Sequence, residues 1–115
     1  MAKTNKESTI EIKIKLDEQN LPEQIKWKAP EGGQTEPSEC KAMLVAFFDK
    51  QTKETQKIDL WTKDMQVIEM DRFIFQTLRA MADTYYKATQ NAQLASDMQR
   101  FVQYFGEQTE IISKS

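Results

Sequence analysis

From Thr9 the chain alternates strictly between apolar and polar residues. Ile10, Ile12, Ile14 and Leu16 fall on one side, and Glu11, Lys13 and Lys15 on the other. Successive side chains of an extended strand point to opposite faces, so this stretch reads as a half-buried strand. Asp17 to Pro22 (DEQNLP) is a cluster of turn formers. A second alternation follows, with Ile25, Trp27 and Ala29 against Gln24, Lys26 and Lys28. Two alternating runs joined by so short a loop predict an antiparallel hairpin. A hairpin with one apolar face needs a second layer to cover that face.

The rest of the chain is expected to supply that layer. Pro30 to Pro37 (PEGGQTEP) holds two of the three glycines and two of the three prolines, and reads as a loop. A helix is expected to start near Pro37 or Ser38, with Thr35 or Glu36 as its cap. Its face would be Cys40, Met43, Leu44, Phe47 and Phe48, spaced i, i+3, i+4, i+7, i+8. Lys57 to Trp61 reads as a third strand, with Ile58 and Leu60 on one face and Asp59 and Trp61 on the other. Thr62 or Asp64 would cap a helix from about Met65 to Ala88, striped by Val67, Met70, Ile74, Leu78, Met81 and Tyr85. Asn91 is a good N-cap for a last helix over Ala92 to Phe105. Its inner face would be Leu94, Met98, Phe101, Val102 and Phe105, and Gly106 its stop. The expected fold is α+β, in the order β-β-α-β-α-α. A three-stranded sheet would have one face covered by three helices, its second and third strands parallel through a helical crossover. Residues 1–115 are expected to form one domain, with 1–8 and 107–115 flexible.

The inventory of reactive groups is short. The 115 residues include no histidine, one cysteine and three glycines. That removes Ser-His-Asp and Cys-His nucleophile systems, imidazole proton shuttles, His-based metal sites and CxxC sites. The few clustered glycines do not make a phosphate-cradling loop. The expectation is therefore a non-enzyme with no cofactor and no metal. Sixteen Lys and Arg against eighteen Asp and Glu give a net charge of −2, which argues against a dedicated nucleic-acid binder. The longest apolar run is Ala42 to Phe48 (AMLVAFF), far short of the about 20 residues that span a bilayer. No secretory h-region stands at the N-terminus and the one cysteine has no partner in the chain. A cytoplasmic protein without membrane insertion is expected.

Five features bear on function. Lys13, Lys15, Lys26, Lys28 and Lys57 would share the outer sheet face, which suits a solvated surface better than a phosphate site. Trp61 would point away from Ile58 and Leu60. At a strand end it is either an interface anchor or a residue turned into the core, and with Lys63, Asp64 and Met65 it forms the candidate interaction surface. Asp59, Asp64, Glu69 and Asp71 show no sign of converging on one cleft, as paired acid–base catalysis requires. Cys40 reads as a small buried hydrophobe. Met43, Met70, Met81 and Met98 read as core, with Met65 near a surface corner.

One set of segments is specific. Asp59-Leu60-Trp61-Thr62-Lys63-Asp64-Met65, Glu69-Met70, Phe75-Gln76-Thr77-Leu78 and Met81-Ala82-Asp83-Thr84 resemble the gliding-motility-associated GldC family of the Bacteroidetes. Ile25, Trp27, Ala29-Pro30 and Phe105-Gly106 extend the resemblance over nearly the whole chain. It implies an accessory, non-enzymatic protein of the gliding machinery, with protein partners in that machinery and its secretion system. It brings no catalytic or binding residue with it. Open sheet edges add an expectation of a homodimer. The alternative function is a small chaperone-like binder of unfolded or exported polypeptides. A carboxylate-based enzyme comes third.

Overall fold

The computed structural model describes residues 6–114. The chain divides into two compact units, Met1–Met65 and Gln66–Ser115. Of the ends expected to be flexible, residues 1–5 and 115 lie outside the described residues.

The described part of the first unit is built of strands, with one short 3-10 helix. β1 (Glu11–Leu16) and β2 (Pro22–Ala29) pair antiparallel, as the alternation predicts, with Ile12 opposite Trp27 and Ile14 opposite Ile25. The turn between them is fixed by Asp17. Its Oδ1 accepts from the Gln19 and Leu21 amides at 2.8 and 3.0 Å, and its own amide donates to the Leu21 carbonyl at 2.9 Å. Asn20 takes the left-handed conformation (φ 63°) that asparagine tolerates. Ile25 is fully buried at 0% exposure and anchors the apolar face.

The order of elements corrects the sequence reading. A short 3-10 turn (Pro30–Gly32) leads into β3 (Gln34–Cys40), which pairs antiparallel with β2 to give a sheet ordered β1-β2-β3. β4 (Ala42–Phe48) and β5 (Thr55–Trp61) form a second, two-stranded antiparallel sheet. The helix expected from Pro37 to Phe48 is therefore two strands. Among the described residues no helical crossover makes parallel neighbours, and two sheets and two α-helices stand where one sheet and three helices were expected.

Two local features explain the change. Ala42–Phe48 is apolar at every position, and an unbroken apolar run satisfies a period of two as readily as one of 3.6. Its aromatic and branched residues then favour the pleated surface. Pro37, taken as a first-turn helix residue, instead sits in the irregular stretch where Lys28 alone lies between the pairs Trp27–Ser38 and Ala29–Gln34. A bulge at a sheet edge is where proline is tolerated within a sheet. Asp49 closes the β4–β5 hairpin. Its Oδ2 accepts from the Thr52 and Gln51 amides at 2.8 and 3.0 Å, and Lys53 takes the left-handed conformation.

The second unit is a helical hairpin of α1 (Val67–Thr89) and α2 (Ala92–Gln108). Asn91 caps α2 as expected, its Oδ1 accepting from the Leu94 amide at 3.1 Å. Neither Thr62 nor Asp64 caps α1. Gln66 is the N-cap, and the Glu69 carboxylate three residues on accepts from the Gln66 amide at 2.9 Å. Phe75 and Ala82 of α1, with Ala95, Val102 and Gly106 of α2, are buried. Met81, expected in the core, is exposed.

Gly106 is not a stop. It lies inside α2, which runs to Gln108, and Ile111 and Ile112 donate back to its carbonyl at 2.9 and 3.1 Å. A Cβ at Gly106 would stand 2.6 Å from Phe75 Cε1 and 2.8 Å from Ile112 Cδ1. The glycine is there for close approach rather than to end the helix.

Candidate functional site

The last residues of the first unit hold the surface singled out in the sequence. Trp61 ends β5 opposite Ala42, while Leu60 pairs with Met43. Opposed residues of an antiparallel pair share a face, so Trp61 and Leu60 face opposite ways, as the strand phase predicts. Trp61 is 53% exposed. With Leu21, Pro22, Asp59, Leu60 and Lys63 it lines a shallow cavity of about 270 Å³.

Lys63 is tied down. Its Nζ donates to Asp17 Oδ2 at 2.7 Å, joining the β5 end to the β1–β2 turn across 46 positions of sequence. Asp17 thus accepts from one side-chain ammonium and two backbone amides. The Lys63 hydrogen bond is the main reason its carboxyl falls from 3.8 to about 2. The same contact raises the Lys63 ammonium above its ordinary value.

Asp64 turns elsewhere. Its Oδ1 accepts from the buried Thr62 hydroxyl at 2.5 Å, and Lys41 Nζ stands 3.9 Å from Oδ2. The hydroxyl holds the Asp64 carboxyl below its ordinary value. The Thr62 amide donates to the Lys41 carbonyl at 2.8 Å, which stitches the corner to the start of β4. Met65 is half-buried, its amide donating to the Thr62 carbonyl at 3.0 Å. The fold therefore brings Trp61 and Lys63 onto one cavity. Asp64, its side chain 72% exposed, and the half-buried Met65 do not line that cavity.

Leu21, Pro22 and Asp17 belong to this corner, although in the sequence they show only as turn residues. The Asp17–Lys63 tie, 46 positions apart, leaves no local signal. The other missed feature is β4, where Phe47 and Phe48 are 60% and 67% exposed.

The remaining candidates resolve as follows. Lys13, Lys15, Lys26 and Lys28 share one face of the β1–β2 pair, in register with Glu11 and Gln24. Lys57 does not join them, because β5 belongs to the other sheet; it pairs with Asp59 at 3.0 Å. Glu11 lies 3.4 Å from Lys13 and 3.6 Å from Lys28, and Glu23 lies 3.9 Å from Lys15. Exposed pairs of this kind contribute little stability but do break up the positive field. Cys40 ends β3, half-buried opposite Ile25, and burial pushes its thiol up. Among the described residues no three His, Cys, Asp or Glu side chains group as a metal site, and no helix is long and apolar enough to cross a membrane.

The Asp17–Lys63 tie gives a pH signature. Asp17 titrates lower in the folded chain than in the unfolded one, so its contribution is complete above the ordinary value of 3.8 and is lost as pH falls towards 2. Asp49 and Asp64 are lowered too and act with the same sign. Urea midpoints of the wild type should therefore fall from about pH 4 to pH 2, and Asp17→Asn should show a shallower fall. Parallel curves would mean that the tie does not couple to folding.

Comparison with curated proteins and with solved structures gives no match. The model of one family, described as gliding motility-associated protein GldC-like, matches residues 22–111. That span takes in β2 to β5, with Trp61 and Lys63, and both helices of the hairpin. Most of the chain being covered, the protein belongs to the gliding motility-associated GldC-like family.

Proposed function

We propose that the protein is a non-enzymatic, cytoplasmic accessory of the gliding machinery that works by protein–protein contact as a homodimer. The observation that carries this reading is the Trp61 corner. A large flat side chain, half exposed at a strand end, stands beside Leu21 and Pro22 over a cavity and next to a lysine held by the Asp17 carboxylate. Rigid aromatic anchors set beside a shallow cavity are typical of binding hot spots. Family membership supports gliding as the process. The single unpaired thiol of Cys40 suits a reducing compartment. The open apolar edge of the two-stranded sheet supports self-association.

The test is affinity capture from gliding cells with the wild type and Trp61→Ala. Removing a hot-spot tryptophan costs about 2 kcal/mol or more, so proteins of the gliding and secretion machinery should be held about 30-fold less strongly. Equal capture by both chains counts against the corner. The exposed apolar residues Phe47, Phe48 and Trp61 also support a second reading, a chaperone-like binder of unfolded or exported chains. That reading expects the protein to suppress aggregation of an unrelated unfolded protein, and specific capture without such suppression removes it.

A further inference from the structure

Four strands of this chain have an unpaired edge among the described residues, and three of them are protected. β1 carries Glu11, Lys13 and Lys15; β3 carries Glu36, Pro37 and Glu39; β5 carries Lys57 and Asp59. Charges and proline are how natural proteins keep open edges from pairing with other chains. β4 has neither. All seven of its residues are uncharged and apolar, and Leu44, Phe47 and Phe48 are exposed.

The hydrogen-bond phase of β4 is fixed at both ends. The Asp49 amide donates to the Glu54 carbonyl and the Thr62 amide to the Lys41 carbonyl, each at 2.8 Å. The register between these points is one to one, from Ala42–Trp61 to Phe48–Thr55. In an antiparallel ladder alternate residues face the partner strand. Met43, Val45 and Phe47 therefore direct their amides and carbonyls to β5. Ala42, Leu44, Ala46 and Phe48 direct theirs to the open edge.

We propose that this edge is covered by β4 of a second copy, antiparallel about a two-fold axis through Val45. This deepens the homodimer reading above and rests on it. That axis sets Leu44 opposite Ala46 of the other copy and Ala42 opposite Phe48. Every outward amide and carbonyl of the strand then finds a partner. A shift of one residue would set outward groups against inward ones, and a shift of two would leave an end unpaired. Side-chain sizes agree, since each large residue on this face meets an alanine. Met43 meets Phe47 on the other face, and Val45 meets itself on the axis. No like charges face each other anywhere along the seam. The result is a continuous sheet β5-β4-β4-β5 across two copies.

Light scattering on the full chain tests this, with Ala46→Pro as the blocking variant. The Ala46 amide points to the open edge, so proline there removes a bond to the second copy and none to β5. The wild type should have twice the chain mass of 13.4 kDa, and Ala46→Pro the mass of one chain with an unchanged circular dichroism spectrum. A second variant guards against misfolding. Val45→Cys in a Cys40→Ser background should oxidise to a covalent dimer, because residues on the axis lie about 4.5 Å apart at Cα, within disulfide range. Lys57→Cys in the same background should not. A wild-type dimer that survives Ala46→Pro, with no Val45→Cys cross-link, overturns the β4 seam and leaves the homodimer standing. A wild-type monomer, including one whose edge pairs only with a strand of another protein, overturns both.

Discussion

Gly106→Val is expected to destabilise the helical unit by about 3 kcal/mol, the upper part of the range for overpacking a tight site. The reason is distance. A Cβ alone would stand 2.6 Å from the Phe75 ring and 2.8 Å from Ile112 Cγ1 and Cδ1. Phe75 is itself buried in the α1–α2 contact and its ring does not move without opening it. Valine adds two methyl groups and loses χ1 freedom in the helix. Gly106→Ala should cost less, about 1 kcal/mol, because the gain in helix propensity over glycine offsets part of the clash. Urea unfolding followed by the helical circular dichroism signal measures both. If Gly106→Val were as stable as the wild type, the packing of Ile112 over Gly106 would be wrong.

Ile25→Ala is expected to have the largest effect in the strand unit, about 3–4 kcal/mol, within the range for emptying a buried isoleucine site. Ile25 is fully buried and pairs with Ile14 on one side and Cys40 on the other, so it holds all three strands of that sheet. Ile10→Ala is the matched control. Ile10 is 72% exposed and lies ahead of β1, so its loss should stay within about 0.5 kcal/mol. Chemical denaturation read by tryptophan fluorescence compares them, Trp27 lying in the same sheet. Equal losses at the two sites would show that the apolar face is not organised around Ile25.

What was legible in the sequence is what has a local cause. β1 and β2 declare themselves because a charged residue stands between each pair of apolar ones, which leaves one period. The Asp17 turn and the Asn91 cap are made by side chains bonding backbone a few residues away. The helical hairpin is legible because polar residues break its stripes at the helical period. The segment from Gln34 to Phe48 was not. Its apolar run has no polar counter-face to set a period, and β pairing with Pro22–Ala29 and Thr55–Trp61 decided it. Gly106 was misread because a glycine ending a helix and one admitting a neighbour look alike until the neighbour is placed.

The candidate site divides the same way. The phase of Trp61 could be read from Ile58 and Leu60. The partner of Lys63 could not, because Asp17 lies 46 positions away. Nor could the neighbours of Trp61 in Leu21 and Pro22, which the hairpin ends bring together.

The proposed role of the Trp61 corner is contact with protein partners in gliding. Colony spreading of a deletion strain carrying either the wild type or Trp61→Ala, at matched protein level, tests it most directly. The wild type should restore spreading, and Trp61→Ala should leave the colony close to the deletion. Full spreading with Trp61→Ala would contradict it.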